Sequence, residues 1–190
     1  MPRVGVLALQ GDVREHLATL TALGADPVPV KTPEQLEDLD GIVVPGGEST
    51  TIGKLAERFE LMEPLRRRIG DGMAAFGTCA GMIFLAASVT EGSQPLLGVL
   101  DIVVHRNAFG RQNDSFEADL DVEGLDEPFH AVFIRAPWVE KTGDGVEVLA
   151  KVEGHPVMVR QDRVMAASFH PELTPDDRIH RMFLDLVESE

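Results

Sequence analysis

Cys79 is the only cysteine among 190 residues, and it stands in Gly77-Thr78-Cys79-Ala80-Gly81 directly after the apolar run Met73-Ala74-Ala75-Phe76. Glycines two before and two after a nucleophile permit a sharp strand-to-helix turn that lifts its side chain out of a sheet. The apolar residues 82–87 that follow read as the start of a buried helix, whose first N–H groups and dipole favour negative charge on the sulfur. Taken alone, the residue also fits a buried packing cysteine, because a free thiol behaves as a small hydrophobe. A thiol nucleophile needs a base to take its proton and a third group to orient that base. His170-Pro171-Glu172 offers both within three residues, after the apolar segment Met165-Ala166-Ala167-Ser168-Phe169. In an extended segment residues i and i+2 point the same way, so Glu172 can hold one imidazole nitrogen while the other faces Cys79. Acyl chemistry also needs donors for a developing oxyanion. Gly46-Gly47 can turn a backbone N–H toward such a charge, and the N–H of Ala80 is the natural second donor. A Gly-Gly pair also fits an ordinary turn, and a lone histidine before a turn also fits a surface position.

These groups need elements that bring them together. Val4-Gly5-Val6-Leu7-Ala8-Leu9 reads as a strand buried on both faces, and Val13, Leu17 and Leu20 then recur at helical spacing until Gly24. Pro27-Val28-Pro29-Val30 suits an edge strand, and Thr32-Pro33-Glu34 a helix start with Thr32 at the N-cap. Gly41-Ile42-Val43-Val44 is a third buried strand, ending in Pro45-Gly46-Gly47-Glu48-Ser49-Thr50, with helices expected to about residue 62 and over 65–69. Strands alternating with helices over roughly the first 90 residues imply a parallel sheet with helices on both faces, and ligands at the carboxyl ends of its strands. After Gly98 short segments at 99–104, 115–122, 131–134, 146–152, 156–160 and 163–168 have the character of strands, and Phe116, Ala118, Leu120 and Val122 alternate with acidic residues. They read as an antiparallel extension on the same core, closed by a helix over about 175–187.

Composition narrows the function. The length fits one domain spanning 1–190. A single cysteine excludes an internal disulfide and any cysteine-cluster metal site, which points to a reducing cytoplasm. No apolar stretch of about 18 residues is present to cross a membrane. The formal charge of −15, from 32 acidic and 17 basic side chains, repels phosphate backbones and argues against a nucleic-acid partner. Arg66-Arg67-Arg68 reads as a solvated helix face, and His16, His105, His130, His155 and His180 as mostly structural or solvated, with His105 beside Arg106 the one to watch.

The blocks Pro45-Gly46-Gly47-Glu48-Ser49-Thr50, Gly77-Thr78-Cys79-Ala80-Gly81-Met82 and Phe169-His170-Pro171-Glu172-Leu173, in this order, resemble the class I (triad) glutamine amidotransferases. Ala8-Leu9-Gln10-Gly11-Asp12, Arg106-Asn107-Ala108-Phe109-Gly110-Arg111-Gln112 and Phe133-Ile134-Arg135-Ala136-Pro137 are similar to the glutaminase subunits of pyridoxal 5′-phosphate synthase within that class. The resemblance runs from residue 5 to about residue 185. It implies a three-layer α/β/α, flavodoxin-like fold and hydrolysis of L-glutamine to glutamate and ammonia without a cofactor or metal. By the same resemblance Cys79 attacks the side-chain amide, His170 protonates the departing ammonia, and Glu172 steadies the imidazolium. Gly47 and Ala80 form the oxyanion site, and Gly46, Gly47, Glu48, Ser49, Arg106, Ile134 and Arg135 bind glutamine. The implied partner is a (β/α)₈-barrel synthase subunit that receives the ammonia for vitamin B6 biosynthesis, with Gln10 near the contact that completes the oxyanion hole. Glu48 where proline is common, and Thr78 and Ala80 flanking the cysteine, agree with this subfamily.

Three rival readings have distinct signatures. The glutaminase of another amidotransferase, such as one serving histidine biosynthesis, or a γ-glutamyl hydrolase is disfavoured by the block at 106–112. A thiol sensor or chaperone of similar fold does not require His-Pro-Glu after the last strand. A subunit with a vestigial triad is disfavoured by the presence of all three residues.

Overall fold

A computed structural model describes residues 1–110 and 114–189. Its main sheet has seven strands: β1 (Arg3–Leu7), β2 (Asp26–Val30), β3 (Gly41–Val44), β4 (Ala74–Thr78), β10 (Glu147–Val152), β11 (His155–Gln161) and β12 (Val164–Ala167). They lie in the order β10-β11-β12-β4-β3-β1-β2. β12, β4, β3, β1 and β2 run parallel, and β11 and β10 continue the sheet antiparallel. Burial on both faces is what the continuous apolar runs of β3 and β4 require. β2 sits at the open edge for a backbone reason. Asp26 donates to the Pro2 carbonyl and Val30 accepts from Ala8, so these residues face β1. Pro27 and Pro29, which lack an N–H, alternate with them and point that lack away from the ladder.

The period of two along the strands divides the core. Val4, Val6, Val43 and Phe76 pack beneath α1 (Val13–Ala22) and α5 (Arg178–Glu188), with Leu20 and Phe183. Ile42, Val44 and Ala75 face α2 (Ser49–Arg58), α3 (Met62–Gly70) and α4 (Ala80–Leu85), with Ile52, Leu65 and Met82. The expected three layers follow.

The second half departs from the sequence reading. Only β10–β12 extend the main sheet. β5 (Ala86–Val89), β6 (Leu100–His105) and β9 (Trp138–Thr142) form a separate three-stranded sheet with β5 and β6 parallel, and β7 (Ser115–Leu120) and β8 (Phe129–Ile134) form an antiparallel pair. The apolar run after Cys79 is not one helix: it leaves the helix at Leu85 and continues as β5, which pairs Ala86 with Leu100. The Thr32 start opens only a short 3₁₀ turn, Pro33–Leu36, with the Thr32 and Gln35 side chains capping it reciprocally. The triple arginine is also not a simple solvated face. Arg66 donates to the Leu96 and Leu97 carbonyls and Arg68 to those of Leu36 and Leu39, so two of the three fasten loops.

Candidate functional site

β4 and β12 are adjacent and parallel, with Thr78 opposite Ala167. Their carboxyl ends therefore deliver Cys79 and His170 side by side. The N–H of Cys79 bonds the Ala167 carbonyl at 2.8 Å, and the chain then turns sharply, with φ 52° and ψ −108° at Cys79. A non-glycine residue in such a conformation stores strain, which is tolerated where the surroundings enforce it. Here the enforcement is close packing. A Cβ on Gly81 would stand 2.0 Å from the Val44 carbonyl oxygen, and one on Gly77 would meet the Gly81 backbone at 2.5 Å. Both glycines let α4 begin directly against β3 and β4. The Cys79 side chain is buried, with Sγ 3.7 Å from the Ile134 carbonyl oxygen at the end of β8.

His170 is fixed from several sides. Its N–H bonds the Val132 carbonyl at 2.9 Å, and its Nδ1 lies 2.6 Å from Glu172 Oε1 and 3.3 Å from Asp12 Oδ2. The link to Glu172 differs from the expected extended geometry: Pro171–Leu173 form a 3₁₀ turn, which folds the carboxylate back under the ring. Gly46 also packs closely on the ring, where a Cβ would be 2.6 Å from His170 Cε1. The sulfur of Cys79 and the imidazole line the same cleft. Burial disfavours the charged ring, but the sulfur and the Glu172 carboxylate outweigh it and raise the His170 pKa to about 10. Burial raises the pKa of Glu172, opposed by its bond to the imidazole. Two carboxylates around one buried imidazolium account for the clustering of Asp12, His170 and Glu172, which together also have the spacing of a cation site.

A cleft of about 680 Å³ opens above the sulfur, within the range of small-molecule sites. Gln10, Gly47, Glu48, Ser49, Cys79, Ala80, Arg106, Ile134, Arg135 and His170 line it. Gly46 and Glu172 do not line it but both contact the imidazole. The sequence reading did not single out Asp12, Ile83, Thr90, Glu91, Asn107 and Leu173 as site residues, yet they also line the cleft, together with His105.

One wall is a chain of polar contacts. The Gln10 side-chain oxygen accepts from the Glu48 N–H at 2.7 Å, and the Gly46 carbonyl accepts from the Asp12 N–H. These contacts pin the Gly46-Gly47 loop to the end of β1. Close approach requires Gly11 and Gly47: their Cβ atoms would fall 1.7 Å from the Gly46 oxygen and 2.1 Å from Gln10 Oε1. Glu48 has a role the sequence reading missed. Its carboxylate caps α2, accepting from the N–H groups of Thr50 and Thr51 and the Thr51 hydroxyl. Those bonds lower its pKa although burial opposes them. Gln94 joins Ser49 Oγ to the Arg106 guanidinium, at 3.0 and 2.6 Å. Arg135 has φ 46°, a turn that places it at the rim. Arg111 and Gln112, part of the subfamily block, lie outside the described residues.

Residues 6–189 match the SNO glutamine amidotransferase family. The pyridoxal 5′-phosphate synthase subunit PdxT of Frankia alni is 62% identical over 191 residues, covering 99% of this chain and 96% of that protein. A crystal structure of a glutamine amidotransferase shares 56% identity and superposes with a TM-score of 0.94, covering 98% of this chain and 99% of the other. A chain of the PurLQS structure from Thermotoga maritima, 18% identical, has a TM-score of 0.73 over 98% of this chain and 99% of its own, a likeness of fold.

Proposed function

Because this chain belongs to the SNO glutamine amidotransferase family, we propose that it is the glutaminase subunit of pyridoxal 5′-phosphate synthase, a single domain over 1–190 that hydrolyses L-glutamine to L-glutamate and ammonia. The observation that carries the reading is a strained cysteine at a strand-to-helix elbow facing an imidazole whose Nδ1 is held by a buried carboxylate at 2.6 Å. High identity to a PdxT protein over nearly its full length supports the particular role.

In this reading Cys79 Sγ attacks the side-chain carbonyl of glutamine, and the C=O electrons move onto oxygen. The N–H groups of Gly47 and Ala80 receive the oxyanion; Ala80 is the first residue of α4, where backbone N–H groups have no acceptor within the helix. His170 gives its proton to the departing nitrogen, the C–N bond breaks, and a γ-glutamyl thioester and ammonia result. A water then loses a proton to His170 and attacks the thioester, releasing glutamate and restoring the sulfur. Arg106 or Arg135 suits the α-carboxylate of the substrate, as a planar guanidinium suits a carboxylate. Glu48 or a nearby carbonyl faces its α-ammonium.

Ammonia released without an acceptor is wasted, so the reading includes a (β/α)₈-barrel synthase subunit as partner. The Gln10 bond to the Glu48 N–H fixes the loop that carries Gly47, and docking beside Gln10 is the proposed means of completing the oxyanion site. A cytoplasmic setting is part of the proposal; among the described residues no helix is long and apolar enough to span a membrane. Incubation with a glutamine-mimicking electrophile, followed by peptide mass spectrometry, tests the chemistry. Labelling confined to Cys79, faster with the synthase present, is expected. No labelling under either condition rejects the reading, as does undiminished steady-state turnover in His170→Asn.

A further inference from the structure

A pair of histidines lies behind the triad. His16 of α1 and His180 of α5 are fully buried, with His16 Nδ1 2.8 Å from His180 Nε2. His16 Nε2 points the other way, 3.2 Å from the Thr78 hydroxyl and 3.6 Å from Glu172 Oε2. Glu172 Oε1 is engaged by His170, whereas Oε2 is buried with no hydrogen-bond partner among the described residues. A buried carboxylate oxygen without a donor is costly, and His16 Nε2 faces it within a small adjustment of a bond. Catalytic hydrogen bonds are often long in the unliganded state and tighten when substrate binds.

The tautomers follow from counting donors. If Nε2 of His16 carries the proton, it donates toward Thr78 Oγ1 and Glu172 Oε2, its Nδ1 accepts from His180 Nε2–H, and the atom left alone is His180 Nδ1, an acceptor. That nitrogen is indeed buried without a partner. The reverse assignment would aim a lone pair at a carboxylate and strand a buried N–H donor, the more costly orphan. Both rings are neutral: burial, then the neighbouring His180 and His170, lower His16 well below 6.5, and burial lowers His180 to about 4.

We infer that His16 is a positioning residue for glutamine hydrolysis: its neutral Nε2–H holds the free oxygen of Glu172, and His180 fixes the tautomer that makes this possible. The inference rests on the glutaminase reading. It extends the line from Cys79 through His170 and Glu172 by two further rings into the core. His16 touches no reacting atom and acts through the orientation of Glu172, so its loss affects turnover and leaves glutamine binding intact.

The chain assayed with its synthase partner provides the test. His16→Leu, close in volume and without a donor, is expected to lower kcat about tenfold or more, within the roughly 10⁴-fold cost of losing an orienting carboxylate altogether. KM for glutamine should stay within twofold. His16→Gln, which restores an N–H, should recover most of the lost rate. A folded His16→Leu protein with kcat within twofold of wild type overturns the inference, and so does a His16→Gln protein as slow as His16→Leu. Nitrogen NMR of the wild-type imidazoles gives a reading independent of folding of the variants and of activity: the Nε2–H tautomer of His16 is expected near neutral pH, and the Nδ1–H tautomer overturns the inference. Absence of turnover in the wild-type complex would instead remove the glutaminase reading.

Discussion

At the scale of the residue, the charge on His170 is the quantity the site controls. Burial alone would favour a neutral ring; the sulfur of Cys79 and the carboxylate of Glu172 reverse that and carry the pKa to about 10. Because the folded value lies above the ordinary one near 6.5, the stabilisation from this pairing is fully present below pH 6.5 and is lost as the pH rises toward about 10. Cys79→Ala removes the largest favourable contribution, so the proton NMR transition of the His170 ring should move to distinctly lower pH; a transition that stays near 10 would assign the charge to other neighbours. Gly46→Ala probes the same ring sterically. Its Cβ would strike His170 Cε1 at 2.6 Å, so glutaminase kcat should fall roughly ten- to a hundredfold as the imidazole is displaced from its reacting geometry, with a melting temperature within a few degrees of wild type. That Cys79, His170 and Glu172 come together was legible in the sequence because each stands in a short motif whose neighbours explain it. Asp12 was not, since it reaches His170 only through the contact of Gly11 with Gly46, an approach between two loops about 35 residues apart.

At the scale of the element, the elbow depends on backbone pressed against backbone. A Cβ at Gly81 would sit 2.0 Å from the Val44 oxygen, a carbonyl of the central strand β3 that cannot swing aside. Gly81→Ala should therefore cost about 3 kcal/mol or more in urea unfolding, or prevent folding. Gly70→Ala, at the end of α3 with nothing within 4 Å of the added carbon, should be neutral or gain up to about 1 kcal/mol from helix propensity. Equal effects at the two positions would refute the packing argument. The parallel strands were readable because burial on both faces demands unbroken apolar runs. The same rule hid the end of α4. Residues 80–87 are apolar throughout whether helical or extended, and only the pairing of Ala86 with Leu100 separates α4 from β5. β9 was missed for the opposite reason. Its residues, Trp138-Val139-Glu140-Lys141-Thr142, follow a proline and show little alternation, and pairing with β6 supplies the order.

At the scale of the whole molecule, two buried histidines held neutral, His16 and His180, sit beneath a chain carrying a formal charge of −15, and the two features pull acid stability in opposite directions. Lowering the pH protonates surface carboxylates and relieves self-repulsion, which favours the compact state. The histidines act the other way. Unfolded, each accepts a proton near pH 6.5; folded, burial holds His180 neutral until about 4 and His16 lower than its ordinary value as well. Through that window the unfolded chain binds more protons, so stability falls with falling pH, by about 1.4 kcal/mol per pH unit for each histidine. A pH profile of the wild type alone sums both effects. Its difference from His180→Leu cancels the surface term, because the carboxylates are the same in both chains. The variant loses the bond to His16 at every pH and starts less stable, but it also loses one buried group that acid must protonate. The stability gap between the two proteins should therefore narrow as the pH falls from 6.5 toward 4, by roughly 3 kcal/mol in all. Urea titrations at half-unit steps across that window measure it directly, and a gap that stays constant would mean that His180 takes its proton in the folded state as readily as in water.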